Sequence, residues 1–338
     1  MFDSHTHIQF PSFVEATKGR PASQEEVILR AKKAGIKMIC VGTQYETSKA
    51  AIELALKYPE DIWASVGFHP THAVSRPELA EGPHAVSRPE LAEGPHAVSR
   101  PDPAKAGEGP HENKKWYHDP NEQNKPTPEI FDIKKFRKLA AHPKVVAIGE
   151  CGLDYFRIKN DELKIKEAQK EIFIEQANLA KEFNKALMIH CRPLKGTDNA
   201  YEDLLPIIDN SLFSIPRILH FYVGSLGITK KLVDSGFCFT FGGVITFSRD
   251  YDEIIKYIPL ERILLETDAP YVAPEPYRGK QNEPSYIIET AKKMAEIKNI
   301  SYKKIVETTN ETANIVFKLH FQNLFGHTEK KKISGFPN

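Results

Sequence analysis

The chain has 338 residues, 41% of them hydrophobic and 27% charged, with a formal net charge of +1. That balance supports a sizeable buried core and excludes both a wholly disordered chain and a broadly basic surface that coats nucleic acid, though not a local basic patch. No apolar run is long enough to span a bilayer, the start Met1-Phe2-Asp3-Ser4-His5 lacks the basic and apolar regions of a secretory signal, and Cys40, Cys151, Cys191 and Cys238 are widely spaced with no CxxC pair. A cytoplasmic protein with free thiols, and no membrane association, is the expectation.

Eight short apolar runs read as strands buried on both faces: Phe2–Ile8, Ile36–Val41, Ile62–Phe68, Val145–Glu150, Ala186–Cys191, Arg217–Tyr222, Gly236–Phe241 and Arg262–Asp268. Helical patterns separate them at Glu25–Ala34, Thr47–Tyr58, Ile133–Ala141, Leu163–Asn184, Ala200–Ile208 and Ser225–Ser235, with a weaker one at Tyr251–Tyr257. Ser285–Lys298 and Tyr302–Leu319 close the pattern. Eightfold strand–helix alternation predicts an α/β fold of the TIM type, an (α/β)8 barrel in a single domain over residues 1–320. An open doubly wound sheet is the alternative, weakened because no GxGxxG or GxxxxGK[ST] follows a strand.

One segment breaks the pattern. His72–Pro83 reads HAVSRPELAEGP, His84–Pro95 repeats it without change, and His96 opens a decaying third copy. The repeat has no core-forming periodicity and is rich in proline, so residues 72–128 read as a low-complexity, disordered insertion in the loop after the third strand. A metal-binding role for His72, His84 and His96 is disfavoured by their twelve-residue separation. Residues 327–338 read as a frayed polar tail.

A barrel of this kind builds its active site where the strands end at their C-terminal face. The first strand gives His5-Thr6-His7, two imidazoles that alternation points the same way. The third gives His69, the fourth Glu150, the fifth His190, the sixth His220 and the eighth Glu266-Thr267-Asp268. A lone strand-end histidine is usually structural. Six ionisable groups around one mouth are too costly to bury without compensation, and a divalent cation supplies it. Four imidazoles and two carboxylates suit Zn, Mn or a related metal, are too many for one tetrahedral ion, and match two ions sharing a carboxylate.

These residues fall in stretches that resemble the TatD family of metal-dependent deoxyribonucleases, within the amidohydrolase superfamily. The stretches are Asp3-Ser4-His5-Thr6-His7, Val66-Gly67-Phe68-His69-Pro70, Ala147–Tyr155 (AIGECGLDY), Ile189-His190-Cys191-Arg192, Leu264–Tyr271 (LLETDAPY) and Tyr277–Pro284 (YRGKQNEP). The resemblance covers nearly the whole chain outside residues 72–128. It implies two divalent ions (Zn, Mg, Mn or similar), one held by His5, His7 and Asp268, the other by His190 and His220, with Glu150 bridging; by its position Asp268 either also orients the attacking water and takes its proton or serves as a ligand alone. It further implies that His69 stands beside the substrate and is not a ligand.

Three positions depart from the family pattern: Val223 stands where the family usually has Ser, Cys191-Arg192-Pro193 replaces Ser-Arg-Asp/Glu, and Gln281 replaces a basic residue. They bear on substrate preference and remove no ligand. Basic residues after strand ends, Arg157, Lys159, Arg192, Lys195, Arg249, Arg278 and Lys280, suggest a phosphate-binding rim, with Tyr155 and Tyr222 either stacking on bases or packing at the barrel edge. The substrate-binding set is His69, Arg192, Arg278, Lys280 and Tyr155, and DNA is the expected substrate. The alternatives are hydrolysis of an amide, lactone or aminoacyl ester at the same site, and a non-catalytic metal-binding scaffold. The sequence points to no obligate protein partner.

Overall fold

The computed structural model describes residues 1–10, 22–73, 130–156, 158, 163–208 and 215–319. Both the expected repeat insertion beyond Ala73 and the expected tail lie outside the described residues, as do Arg157 and Lys159.

Eight parallel strands follow one another in chain order: β1 (Phe2–Thr6), β2 (Lys37–Val41), β3 (Ile62–Val66), β4 (Val145–Asp154), β5 (Ala186–Arg192), β6 (Arg217–His220), β7 (Cys238–Phe241) and β8 (Ile263–Leu265). Helices α1 (Gln24–Lys33), α2 (Tyr45–Lys57), α3 (Ile133–Ala140), α4 (Leu163–Glu182), α5 (Asn199–Ile208), α6 (Leu226–Asp234), α7 (Asp252–Tyr257), α8 (Ile287–Lys298) and α9 (Tyr302–Val316) alternate with them and end the described chain. This is the TIM-type barrel expected from the alternation. Local chemistry sets the helix starts. Ser23 and Glu26 form a reciprocal capping box on α1, and the Ser225 and Ser301 hydroxyls accept backbone N–H groups at the starts of α6 and α9.

Alternation along the strands divides the apolar residues into two layers. Met38, Cys40, Ile62, Ala64, Val66, Leu187, Ile189, Leu219, Phe239 and Phe241 pack outward against the helices. Phe2, Ile39, Val41, Ala147, Ala186, Met188, Ile218, Cys238 and Leu264 form a second cluster that packs against Ala313, Val316 and Phe317 of α9. The second cluster is the barrel interior, stoppered at its N-terminal end by α9. The opposite end is left to polar residues.

Three details differ from the sequence expectation. β4 runs on to Asp154, so Glu150 sits inside the strand and not at its end. β8 is only three residues long, and the seam with β1 is completed beyond it: the Asp268 amide donates to the His5 carbonyl at 2.9 Å and the His7 amide to the Ala269 carbonyl at 2.8 Å. His72 and Ala73 are buried, His72 in a short 3-10 turn over Pro70–His72, so the packed chain continues past the expected start of the insertion.

Candidate metal centre

The strands deliver the site through register. His190 of β5 lies directly opposite His220 of β6 on one side and Gly152 of β4 on the other. The β3–β4 and β4–β5 pairings shift register before Glu150 and Cys151, respectively. Two glycines make this approach possible. Gly149 (φ +139°) and Gly152 (φ +145°) adopt backbone conformations that L side chains avoid, and a Cβ would lie 2.2 Å from the Met188 carbonyl oxygen or 2.0 Å from that of His190. The glycines of the GECG stretch therefore let β4 press against β5 while Glu150 turns into the mouth. On the other side, β1 carries an extra residue between Asp3 and Thr6, and His7 lies just past the strand end. Asp3 fixes this seam by accepting from the Thr267 amide at 2.9 Å and the Thr267 hydroxyl at 2.5 Å.

Everything converges on the Glu150 carboxylate, which is 4% exposed. Its Oε2 lies 3.5 Å from His5 Nε2 and 3.6 Å from His7 Nε2. Its Oε1 lies 2.8 Å from His190 Nδ1, 3.3 Å from His69 Nε2 and 3.5 Å from His220 Nε2. Asp268 Oδ1 stands 3.4 Å from His7 Nε2 and 3.9 Å from His5 Nε2, and the two Nε2 atoms are 3.0 Å apart. The structure thus brings together all six residues expected as ligands, and adds His69 at the same range.

The outer nitrogens of the rings explain the orientation. His7 Nδ1 is 2.8 Å from the Val41 carbonyl oxygen, which can only accept, so its Nε2 presents a lone pair inward. His220 Nδ1 is 2.9 Å from Glu266 Oε2, and His190 Nε2 is 3.0 Å from Asp154 Oδ2. With the ring protons on these outer nitrogens, the inner lone pairs of His7, His190 and His220 would face the carboxylate oxygens, a conflict that in the metal-free protein is relieved at His190 by protonation. A cation resolves that conflict, so the donor set fits a divalent metal. Three combinations of nitrogen and carboxylate donors lie within metal-binding range of each other: His5, His7 and Glu150; His69, Glu150 and His190; and His5, His220 and Glu266.

Sequence reasoning missed Asp154 and placed Glu266 at the mouth without a role. Asp154 stands four residues after Glu150 on β4, on the same strand face, and Glu266 stands two residues before Asp268, just past the end of β8. That spacing was the available signal. Glu266 also accepts from the Phe221 amide at 3.0 Å.

The charges follow from these contacts. Burial pushes the Glu150 carboxyl upward, but the surrounding imidazoles, His69 and His220 foremost, overcome this and hold it well below the usual range. Burial depresses His190 too, yet Asp154 and Glu150 outweigh it and raise the ring to about 9. His5 goes the other way: burial, reinforced by His220, lowers it to about 3.

The mouth is a pocket of about 160 Å³ lined by His190, Cys191, Arg192, His220, Phe221, Val223, Asp268 and Val272. The Arg192 guanidinium stacks 3.8 Å over Phe156. Arg278 stacks 3.9 Å over Phe247 and donates to the Ala273 carbonyl at 3.3 Å. Other rim residues are placed differently. Tyr155 and Tyr222 are each 1% exposed, with their hydroxyls hydrogen-bonded to Asp203 and Thr229, so they pack in the barrel wall and Tyr155 offers no ring face to a base. Arg249 donates to the Ile245 carbonyl at 2.6 Å and pairs with Asp252 at 3.7 Å. Lys280 lines a separate cavity away from the mouth.

An (α/β)8 barrel with this histidine–carboxylate mouth defines a metal-dependent hydrolase. The model of the TatD related DNase family matches residues 2–318, and the chain belongs to that family. It is 30% identical over 324 residues to the metal-dependent hydrolase YabD of Bacillus subtilis, an alignment covering 95% of this chain and all of that protein. It is 27% identical over 330 residues to the 3'-5' ssDNA/RNA exonuclease TatD of Salmonella typhimurium, covering 95% and 100%. The crystal structure of YjjV, a TatD homologue from Escherichia coli, shares the fold with a TM-score of 0.67 at 22% identity, covering 94% of this chain and 98% of that one. Among the described residues, no helix is long and apolar enough to cross a membrane.

Proposed function

We propose that this hydrolase cleaves phosphodiester bonds of DNA, using two divalent ions held by His5, His7, Glu150, His190, His220 and Asp268. One observation carries the reading: the two oxygens of Glu150 face different ligand groups, Oε2 towards His5 and His7, Oε1 towards His190 and His220. A carboxylate so divided is arranged to bridge. Ions bound there supply Lewis-acid activation of water and neutralise charge on a phosphoryl oxygen. Asp268, whose Oδ1 faces the His5–His7 group, takes the proton of the attacking water. Arg192 and Arg278 hold phosphate oxygens, their planes set by the Phe156 and Phe247 rings. His69 sits over the Oε1 group, where it can donate to a bound phosphate. The name of the Salmonella relative points to the same substrate class.

Purified protein stripped of metal and then titrated with Zn, Mn or Mg is assayed on single-stranded DNA, a panel of neutral amides and a phosphotriester. Metal-dependent cleavage of DNA, lost on chelation, is expected. Hydrolysis of an amide with DNA left intact would replace this reading by the amidohydrolase one.

A further inference from the structure

A second cavity, of about 920 Å³, lies on the outer wall of the barrel between α1 and the start of α8. One wall is aromatic, a single stack of two tyrosines. Tyr277 and Tyr286 lie face to face, with centroids 3.8 Å apart and planes within 4° of parallel. Its charge is positive once internal pairs are set aside. Arg30 holds Glu283 with two nitrogens, Nε at 2.9 Å and Nη2 at 2.5 Å, and Lys292 holds Glu289 at 3.0 Å. Lys33 and Lys280 are exposed, and among the described residues neither forms an ion pair; Lys280 Nζ instead stands 5.7 Å from the Tyr277 ring centre.

This cavity is joined to the metal centre by one stretch of chain. The Asn282 side-chain amide donates to the carbonyls of Thr267 and Tyr271, each at 2.7 Å, and so fastens the cavity wall to the segment that carries Asp268. Within the same stretch Arg278 turns to Phe247 while Tyr277 and Lys280 line the cavity.

We propose that this cavity is a second nucleic-acid subsite, holding nucleotides of a single strand beyond the one at the metal centre. The inference rests on the DNA reading above and extends it. The two rings are closed on each other, so a base of any identity would extend the stack from the outer face of Tyr286, and Lys33 and Lys280, neither of which forms an ion pair among the described residues, suit the flanking phosphates. A duplex, with its bases already stacked inside, could not use the tyrosines.

The test uses the full chain with chelator present, so that binding is read without cleavage. Affinities are measured for fluorescent oligothymidylates of about two and about twelve nucleotides, lengths chosen to fall short of or extend beyond a single base-stacking site. The wild type binds the longer strand more tightly. Tyr286→Leu keeps apolar bulk but loses the stack, and weakens the longer strand by roughly fivefold to a hundredfold; Tyr286→Phe restores it. Lys33→Glu, at an exposed position, lowers the slope of log affinity against log salt by about one. Absence of binding by the wild type, or unchanged affinity and slope in Tyr286→Leu and Lys33→Glu, overturns the subsite. The two readings fail separately. If the strand binds in this tyrosine- and lysine-dependent way but metal-loaded protein cleaves neither DNA nor bis(p-nitrophenyl) phosphate, the phosphodiesterase reading falls and the subsite stands.

Discussion

The two sides of Glu150 are built differently. On the Oε2 side, His7 leans on a backbone carbonyl, while His5 Nδ1 is buried without a hydrogen-bond partner among the described residues. On the Oε1 side, each strand histidine is backed by a buried carboxylate, His190 by Asp154 and His220 by Glu266. The difference shows in the charges, with His5 lowered and both His190 and His220 raised. Backing carboxylates make an imidazole more basic and fix its rotamer, so the Oε1 side is held in shape by its own counter-charges. The Oε2 side depends on Glu150, Asp268 and the seam between β1 and the segment after β8.

The largest effect that breaks this comparison is at the shared residue. Glu150→Gln keeps the volume but removes the charge and one good oxygen donor. It should abolish hydrolysis and leave bound metal well below the wild-type content, measured by elemental analysis of the purified proteins. Full occupancy with near-normal activity would mean that the histidines alone hold the site.

Next come the backing carboxylates. Asp154→Asn and Glu266→Gln should each weaken metal binding by roughly 10- to 100-fold, a loss typical of such partners, and lower the stoichiometry by loosening the Oε1 side first. Competition titration with a chromogenic chelator reads both quantities. Equal weakening of both ions would show that the sides do not act separately.

His69→Ala sharpens the comparison further. Its Nε2 is as close to Glu150 Oε1 as the expected ligands are, yet the family pattern places this histidine beside the substrate. Metal content close to wild type with slower turnover is expected. A fall in metal content instead would make His69 a ligand.

The smallest effect is the pH dependence of the metal-free protein. His190 is raised from 6.5 to about 9, so its protonated form is favoured by folding. Its contribution to stability is complete below about pH 6.5 and is lost as the pH rises through about 9. Thermal melts in chelator should show a decline over that window that Asp154→Asn reduces. His5, lowered to about 3, is already neutral there and adds nothing to the slope.

The fold was legible because a parallel sheet buried on both faces writes each strand as an apolar run, and all eight runs became strands. The convergence of His5, His7, Glu150, His190, His220 and Asp268 was legible from their places near the C-terminal ends of the expected strands, although β4 and β5 run on past Glu150 and His190. The backing roles of Asp154 and Glu266 were not legible: their spacing could mark their place at the mouth, but the histidines that they orient lie 36 and 46 residues away. Tyr155 misled because a strand-end tyrosine looks the same in sequence whether its hydroxyl reaches solvent or, as here, Asp203. The seam also escaped notice, because hydrogen bonds made beyond a three-residue strand leave no periodic trace.

In the proposed centre one carboxylate, that of Glu150, divides its two oxygens between two ions. A crystal structure of the metal-loaded protein, with anomalous data collected at the metal edge, tests it directly. Two peaks roughly 3.5–4 Å apart, one bonded to Glu150 Oε1 with His190 and His220 and the other to Oε2 with His5 and His7, are predicted. A single peak, or both Glu150 oxygens on the same ion, would contradict the account.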